Sequence, residues 1–154
     1  MNKTYYGLTD LKQLETIAIQ VCECLGGGTN NTAINMLLET AGAETGKGTV
    51  IDGTKFAGMG ITQFDGMPFQ DVIDRTRQKH KDMIIEYFNI NIEWVQWEHL
   101  RYNPLLAMIF TRLKYKLVPE LIPNSLEARA RYWKVYYNTE AGKGDVEHYL
   151  GMNA

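Results

Sequence analysis

Three carboxylates, Glu44, Asp52 and Asp65, fall within a span of 22 residues in the first half of the chain. Glu44 ends a largely apolar stretch and is followed by the glycine-rich turn Gly46-Lys47-Gly48. A carboxyl partly withdrawn from water at such a place would have a raised pKa and hold a proton near neutral pH. That is what a general acid for glycosidic cleavage requires. Asp52 and Asp65 could line the same cleft wall, since an inverting glycosidase sets a second carboxylate roughly 6.5–9.5 Å from the acid, with water between. Plainer roles compete. Glu44 could be a helix-end residue bonded to local backbone, and Asp52 could simply make its turn. Glu39, five residues before Glu44, has an equal claim on composition alone.

Other chemistries find little footing. His80, His99 and His148 have no mutual metal-ligand spacing, and HExxH, paired CxxC and EF-hand patterns are absent. No metal or cofactor is expected. There is no GxSxG elbow, and neither Gly46-Lys47-Gly48 nor Gly142-Lys143-Gly144 makes a Walker loop. Cys22 and Cys24, two apart, read as reduced thiols rather than a redox pair. Arg75, Arg77, Lys79 and Lys81 alternate with polar residues, as on a solvated helix face. Trp94 and Trp97, at i and i+3, would share a helix face, either packing into a core or offering a sugar-stacking surface.

These side chains need elements to hold them. Thr9 or Asp10 can cap a first helix, whose apolar residues Leu11, Leu14, Ile17, Ala18, Val21 and Leu25 recur at helical spacing until Gly26-Gly27-Gly28. Asn30 or Asn31 starts a second helix running to about Glu44, mostly small or apolar and therefore expected to be buried. Residues 45–66 then hold six glycines and no helical period. Within them Val50 to Lys55 reads as a short β-hairpin with Asp-Gly at its turn. Helices are expected again near 68–88, 91–98, 103–118, 125–138 and 142–150, with Pro104 suited to a first turn. The reading is a mainly α chain with one small β-hairpin after the helix that carries Glu44.

Length and composition set the frame. One hundred and fifty-four residues, 45% apolar and 22% charged, make a single soluble domain over 1–154 with core enough to need no staple. The net charge of −2 argues against a nucleic-acid or anionic-membrane binder. Residues 1–74 carry four basic against nine acidic side chains, and residues 75–154 carry twelve against nine. All three candidate carboxylates lie in the acidic half. MNKTYYGLTD lacks an apolar core, so no signal peptide is expected and synthesis is placed in the cytoplasm. No apolar run reaches the roughly 18 residues of a spanning helix.

Three segments, in order, resemble the lysozyme-like superfamily, particularly goose-type lysozymes and soluble lytic transglycosylases. Glu44-Thr45-Gly46 is similar to the family's Glu-Ser motif. Gly58-Met59-Gly60-Ile61-Thr62-Gln63-Phe64-Asp65 resembles its Gly-Leu-Met-Gln-Val/Ile segment, with Thr62 where Met is usual. Tyr136 to Val146 resembles Ala-Tyr-Asn-Ala-Gly-x-Gly-x-Val, with two residues inserted after Asn138. The resemblance covers about residues 34–150. It implies a two-lobed helical fold around a cleft, and cleavage of the β-1,4 bond between N-acetylmuramic acid and N-acetylglucosamine in peptidoglycan. Carried over, Glu44 would protonate the leaving oxygen. Gln63 and the backbone of Met59, Gly60 and Ile61 would bind an acetamido sugar, and Tyr137 and Asn138 would position substrate and orient Glu44. Asp65, or less closely Asp52, would hold the attacking water of a hydrolase. A lytic transglycosylase would need neither, because the substrate's own 6-hydroxyl closes an anhydro ring. The implied setting is a phage endolysin that reaches the wall through a holin, or a virion part, with glycan strands as the partner. A wall-binding protein of the same fold without turnover is the non-catalytic alternative.

Overall fold

The computed structural model describes residues 3–51, 58–138 and 144–154. Its elements are helices α1 (Leu11–Leu25), α2 (Thr32–Thr45), α3 (Gly66–Arg75), α4 (Gln78–Phe88), α5 (Pro104–Lys116), α6 (Leu126–Trp133) and α7 (Val146–Met152). Short 3₁₀ turns occupy Thr29–Asn31, Ile92–Trp94 and Trp97–Tyr102. The chain is mainly helical, and the described residues contain no strand. Their one β feature is an isolated antiparallel bridge between Met59 and Phe64. The expected hairpin over Val50 to Lys55, with Asp52 at its turn, lies largely outside the described residues.

Local signals explain the helix ends. The Asp10 carboxylate accepts from the Gln13 N–H at 2.8 Å, and Gln13 reaches back to the Thr9 N–H at 2.7 Å. Two starting donors are thereby satisfied. Asn103 caps α5 in the same way, with Pro104 in the first turn. α2 stops at Gly46, whose φ of 57° is left-handed, and its N–H bonds the Gly42 carbonyl at 2.9 Å.

α5 is the axis of the packing. Its residues Leu106 to Leu113 are all buried, and it contacts α1, α2 and α3. Leu14, Ala18 and Val21 of α1 and Met36, Leu37 and Ala41 of α2 close around it. Each fully buried Leu or Ile there contributes about 1.5–3 kcal/mol from removal of its side chain from water. Cys22 and Cys24 are both buried and unbonded to each other.

Three expectations need correction. The helix predicted over 68–88 is two, broken where Thr76 (ψ 131°) and Arg77 (ψ 145°) turn extended. The helix predicted over 91–98 is replaced by two 3₁₀ turns. Trp94 is therefore 82% exposed, while Trp97 donates its indole N–H to the Phe64 carbonyl at 2.8 Å. The two rings share no helix. The basic run is not wholly solvated either: Lys81 is buried and bonds Glu93 at 2.8 Å. No helix among the described residues is long and apolar enough to cross a membrane.

Candidate functional site

The end of α2, the turn Met59–Phe64 and the end of α6 meet at one place. The Thr45 hydroxyl, next to Glu44, donates to the Ile61 carbonyl at 2.7 Å. The Tyr137 hydroxyl donates to the Thr62 carbonyl at 2.6 Å. Thr111 of α5 sets its hydroxyl 2.8 Å from that of Thr62. The turn closes on itself through paired Met59 and Phe64 backbone bonds of 2.9 and 3.0 Å. Gly60 adopts a φ of 80°, and a Cβ there would run into the Leu100 carbonyl oxygen. A short irregular segment is thus pinned by the side chains of Thr45, Tyr137, Thr111 and Trp97, which fixes its shape without a sheet.

Glu44 is half-buried, and the Trp133 indole N–H donates to its Oε2 at 3.0 Å. Trp133 is itself fully buried and packs on Tyr149, with ring centroids 5.1 Å apart. The carboxylate is therefore oriented by a side chain that has no room to move. Tyr137, assigned by resemblance to orient Glu44, spends its hydroxyl on Thr62 instead. Burial raises the Tyr137 pKa well above the usual tyrosine value, and the charge of Glu44 adds to the rise. That ring is a neutral wall at any physiological pH.

Asp65 is exposed at the N-cap of α3 yet caps nothing with its side chain. Such a carboxylate ordinarily bonds the first helical N–H groups. A residue the sequence reading did not single out feels the charge of both acids. Lys114 places its ammonium 4.3 Å from the Tyr137 ring centroid and 3.4 Å from the Tyr137 carbonyl. Burial lowers its pKa from the ordinary lysine value, and Asp65, Glu44 and Asp71 pull it back up. Both candidate carboxylates thus act on one cation.

Gln63 is buried with a φ of 47° and turns inward, its Nε2 donating to the Gly60 carbonyl at 2.9 Å. Its Oε1 is buried without a hydrogen-bond partner. Met59 is half-buried, whereas Gly60 and Ile61 are buried. Asn138 ends a single π turn over Lys134–Asn138, and its Oδ1 accepts from Lys134 Nζ at 2.9 Å. Such turns recur at functional sites. Asp52 and the stretch 139–143 of the third segment lie outside the described residues.

Glu39 is separated from this group by its bonding. Arg129 grips it bidentately at 2.8 and 2.9 Å, and Tyr149 donates a third bond at 2.7 Å. It ties α2 to α6 and α7. Among the described residues, no group of three or more His, Cys, Asp or Glu could hold a metal ion. Comparison with protein-family models, curated proteins and solved structures gave no match.

Proposed function

We propose that the chain is a peptidoglycan glycosidase with a lysozyme-like, two-lobed fold, in which Glu44 is the general acid. The observation that carries this reading is the convergence described above. Segments far apart in sequence, each resembling a lysozyme-like motif, are bonded together around one half-buried glutamate. A chance scatter of weak motifs would have no reason to meet.

In this mechanism Glu44, oriented by Trp133, protonates the glycosidic oxygen as the bond to the anomeric carbon breaks. Asp65, exposed and free of capping duty, takes a proton from the water that attacks the opposite face of the sugar. Lys114 keeps a positive charge beside both acids while their protons move. The unpartnered Gln63 Oε1 is an acceptor suited to an acetamido N–H, once a small rotation brings it to the surface. The wider setting belongs to the same proposal: a phage endolysin acting on the cell wall after release through a holin.

A second reading draws on the burial of Ile61, Thr62 and Gln63, which leaves little of that turn to grip a sugar. It is a wall-binding protein of the same fold without turnover. Incubation with purified sacculi and mass analysis of the released material separates the two. Muropeptides with reducing ends support hydrolysis, and 1,6-anhydro-muramic ends support the lytic transglycosylase version. Sedimentation with sacculi and no released fragment supports the binding protein. A parallel digest of chitin oligomers checks whether muramic acid is needed.

A further inference from the structure

A surface cavity of about 370 Å³ opens where α3 and α4 break apart. Thr76, Arg77 and His80 line it from that corner, and Leu113, Lys116 and Leu117 line it from the end of α5. Its volume is that of a small-ligand pocket. It owes nothing to the Glu44 site, because α5 turns Lys114 toward that site and residues 113, 116 and 117 toward this cavity.

The lining is one-signed. Arg75 completes it, and no lining residue is acidic. The nearest carboxylate bonded to the group is that of Asp71, which lies 3.0 Å from Arg75 Nη1 on the exposed side of α3. Lys116 Nζ is anchored on the Leu25 carbonyl at 2.9 Å, and Arg112 behind it on the Gly26 carbonyl at 2.9 Å. Neither has a carboxylate partner among the described residues. These cations repel one another. Burial lowers the His80 pKa, and Lys116, Lys79, Arg77 and Arg112 lower it further.

Two further features point to a missing anion. Thr76 is 7% exposed, lines the cavity, and has a buried hydroxyl with no partner. Most buried hydroxyls find one. The helix α4 also opens here without a side-chain cap. Its N-cap is the cation Arg77, where α1, α5, α6 and α7 have Asp10, Asn103, Ser125 and Asp145. A cation at a helix N-terminus opposes the macrodipole, and an anion there complements it.

We propose that this cavity binds a phosphate group, free or as a phosphomonoester. Arg77 and Lys116 would supply charge, and Thr76 a donor once its buried hydroxyl turns into the cavity. The remaining volume would take the group that carries the phosphate.

The test follows the His80 ring by NMR while inorganic phosphate is added at constant ionic strength. A saturable shift is expected with phosphate and none with chloride. Arg77→Glu, an exposed position, should weaken binding at least ten-fold. Thr76→Val, close in shape, should weaken it several-fold. A sugar 1-phosphate that binds more tightly than inorganic phosphate assigns the remaining volume to a carrier, and equal binding assigns the site to the phosphate alone. A linear shift shared by chloride, or full affinity in both variants, overturns the proposal.

Discussion

Glu39 and Glu44 belong to one helix and differ in what meets their carboxylates. Glu39 receives a guanidinium and a phenol, three bonds in all, with its side chain 14% exposed and that of Arg129 7%. Glu44 receives the neutral indole N–H of Trp133 and lies in the field it shares with Asp65, Lys114 and Tyr137. The first arrangement ties the carboxyl to side chains of two other helices, so that glutamate is structural. The second orients the carboxyl through an indole N–H, the arrangement proposed above for one that gives up a proton and takes it back. Two identical side chains, five residues apart, are sorted by their neighbours rather than by sequence.

The comparison is most easily broken at Glu39. Glu39→Ala strands the Arg129 guanidinium in a largely buried place and should cost about 3–5 kcal/mol of stability. Denaturant melts measure it, and a loss below about 1 kcal/mol would mean the pair is not structural. Next comes Trp133→Phe, which keeps a ring on Tyr149 and removes the N–H to Glu44. A hydrogen bond to a charged group is worth about 1.5–3 kcal/mol, so fragment release from sacculi should fall roughly ten-fold or more. Lys114→Met keeps the buried stem and deletes the charge. Stability should change by no more than about 1 kcal/mol, because removal of a buried charge offsets its lost attractions. Release should fall severalfold, and an unchanged rate would remove Lys114 from the site.

The smallest effect concerns alkaline stability. Burial pushes the Tyr132 pKa up to about 12 in the native state. An unfolded chain loses that proton near the ordinary value of 10.0. Between the two the native state holds more protons, so the contribution is full below pH 10.0 and is lost as pH rises toward about 12. Tyr115, Tyr137 and Tyr149, raised by burial in the same direction, extend the fall. Tyr132→Phe should flatten its share of the slope, as melts at stepped alkaline pH would register.

Much of the scaffold was legible because it is local. Asp10, Gly26, Gly46, Asn103 and Pro104 announce helix ends through their own backbone chemistry, and α1, α2 and α5 follow within a residue or two. The break at Thr76 was not legible. Residues 74–82 are all polar or charged, so no apolar period tests the helix there, and neither glycine nor proline marks its end. Trp94 and Trp97 misled for a related reason, since a spacing of three suits neighbouring 3₁₀ turns as well as one α-helix. At the site, Glu44 and Asp65 could be named from their types, and Thr45 and the turn Met59–Phe64 only from the resemblance of their segments to lysozyme-like motifs. Trp133 could not, because its partner is 89 residues away. Lys114 gave a faint signal as a charge three residues after Thr111 in an apolar helix. Its role depends on the fold, which brings Lys114 within the field of both acids.

The central claim is that Glu44, and not Glu39, is the reacting carboxyl. Fragment release from purified sacculi by wild type, Glu44→Gln and Glu39→Gln, with a melt of each, tests it most directly. Glu44→Gln should keep a near-native melt and lose at least about a hundred-fold in release, the lower range for a general acid. Glu39→Gln should lose stability first, and activity only as the fraction folded falls. Fragment release by Glu44→Gln at the wild-type rate would rule out Glu44 as the general acid.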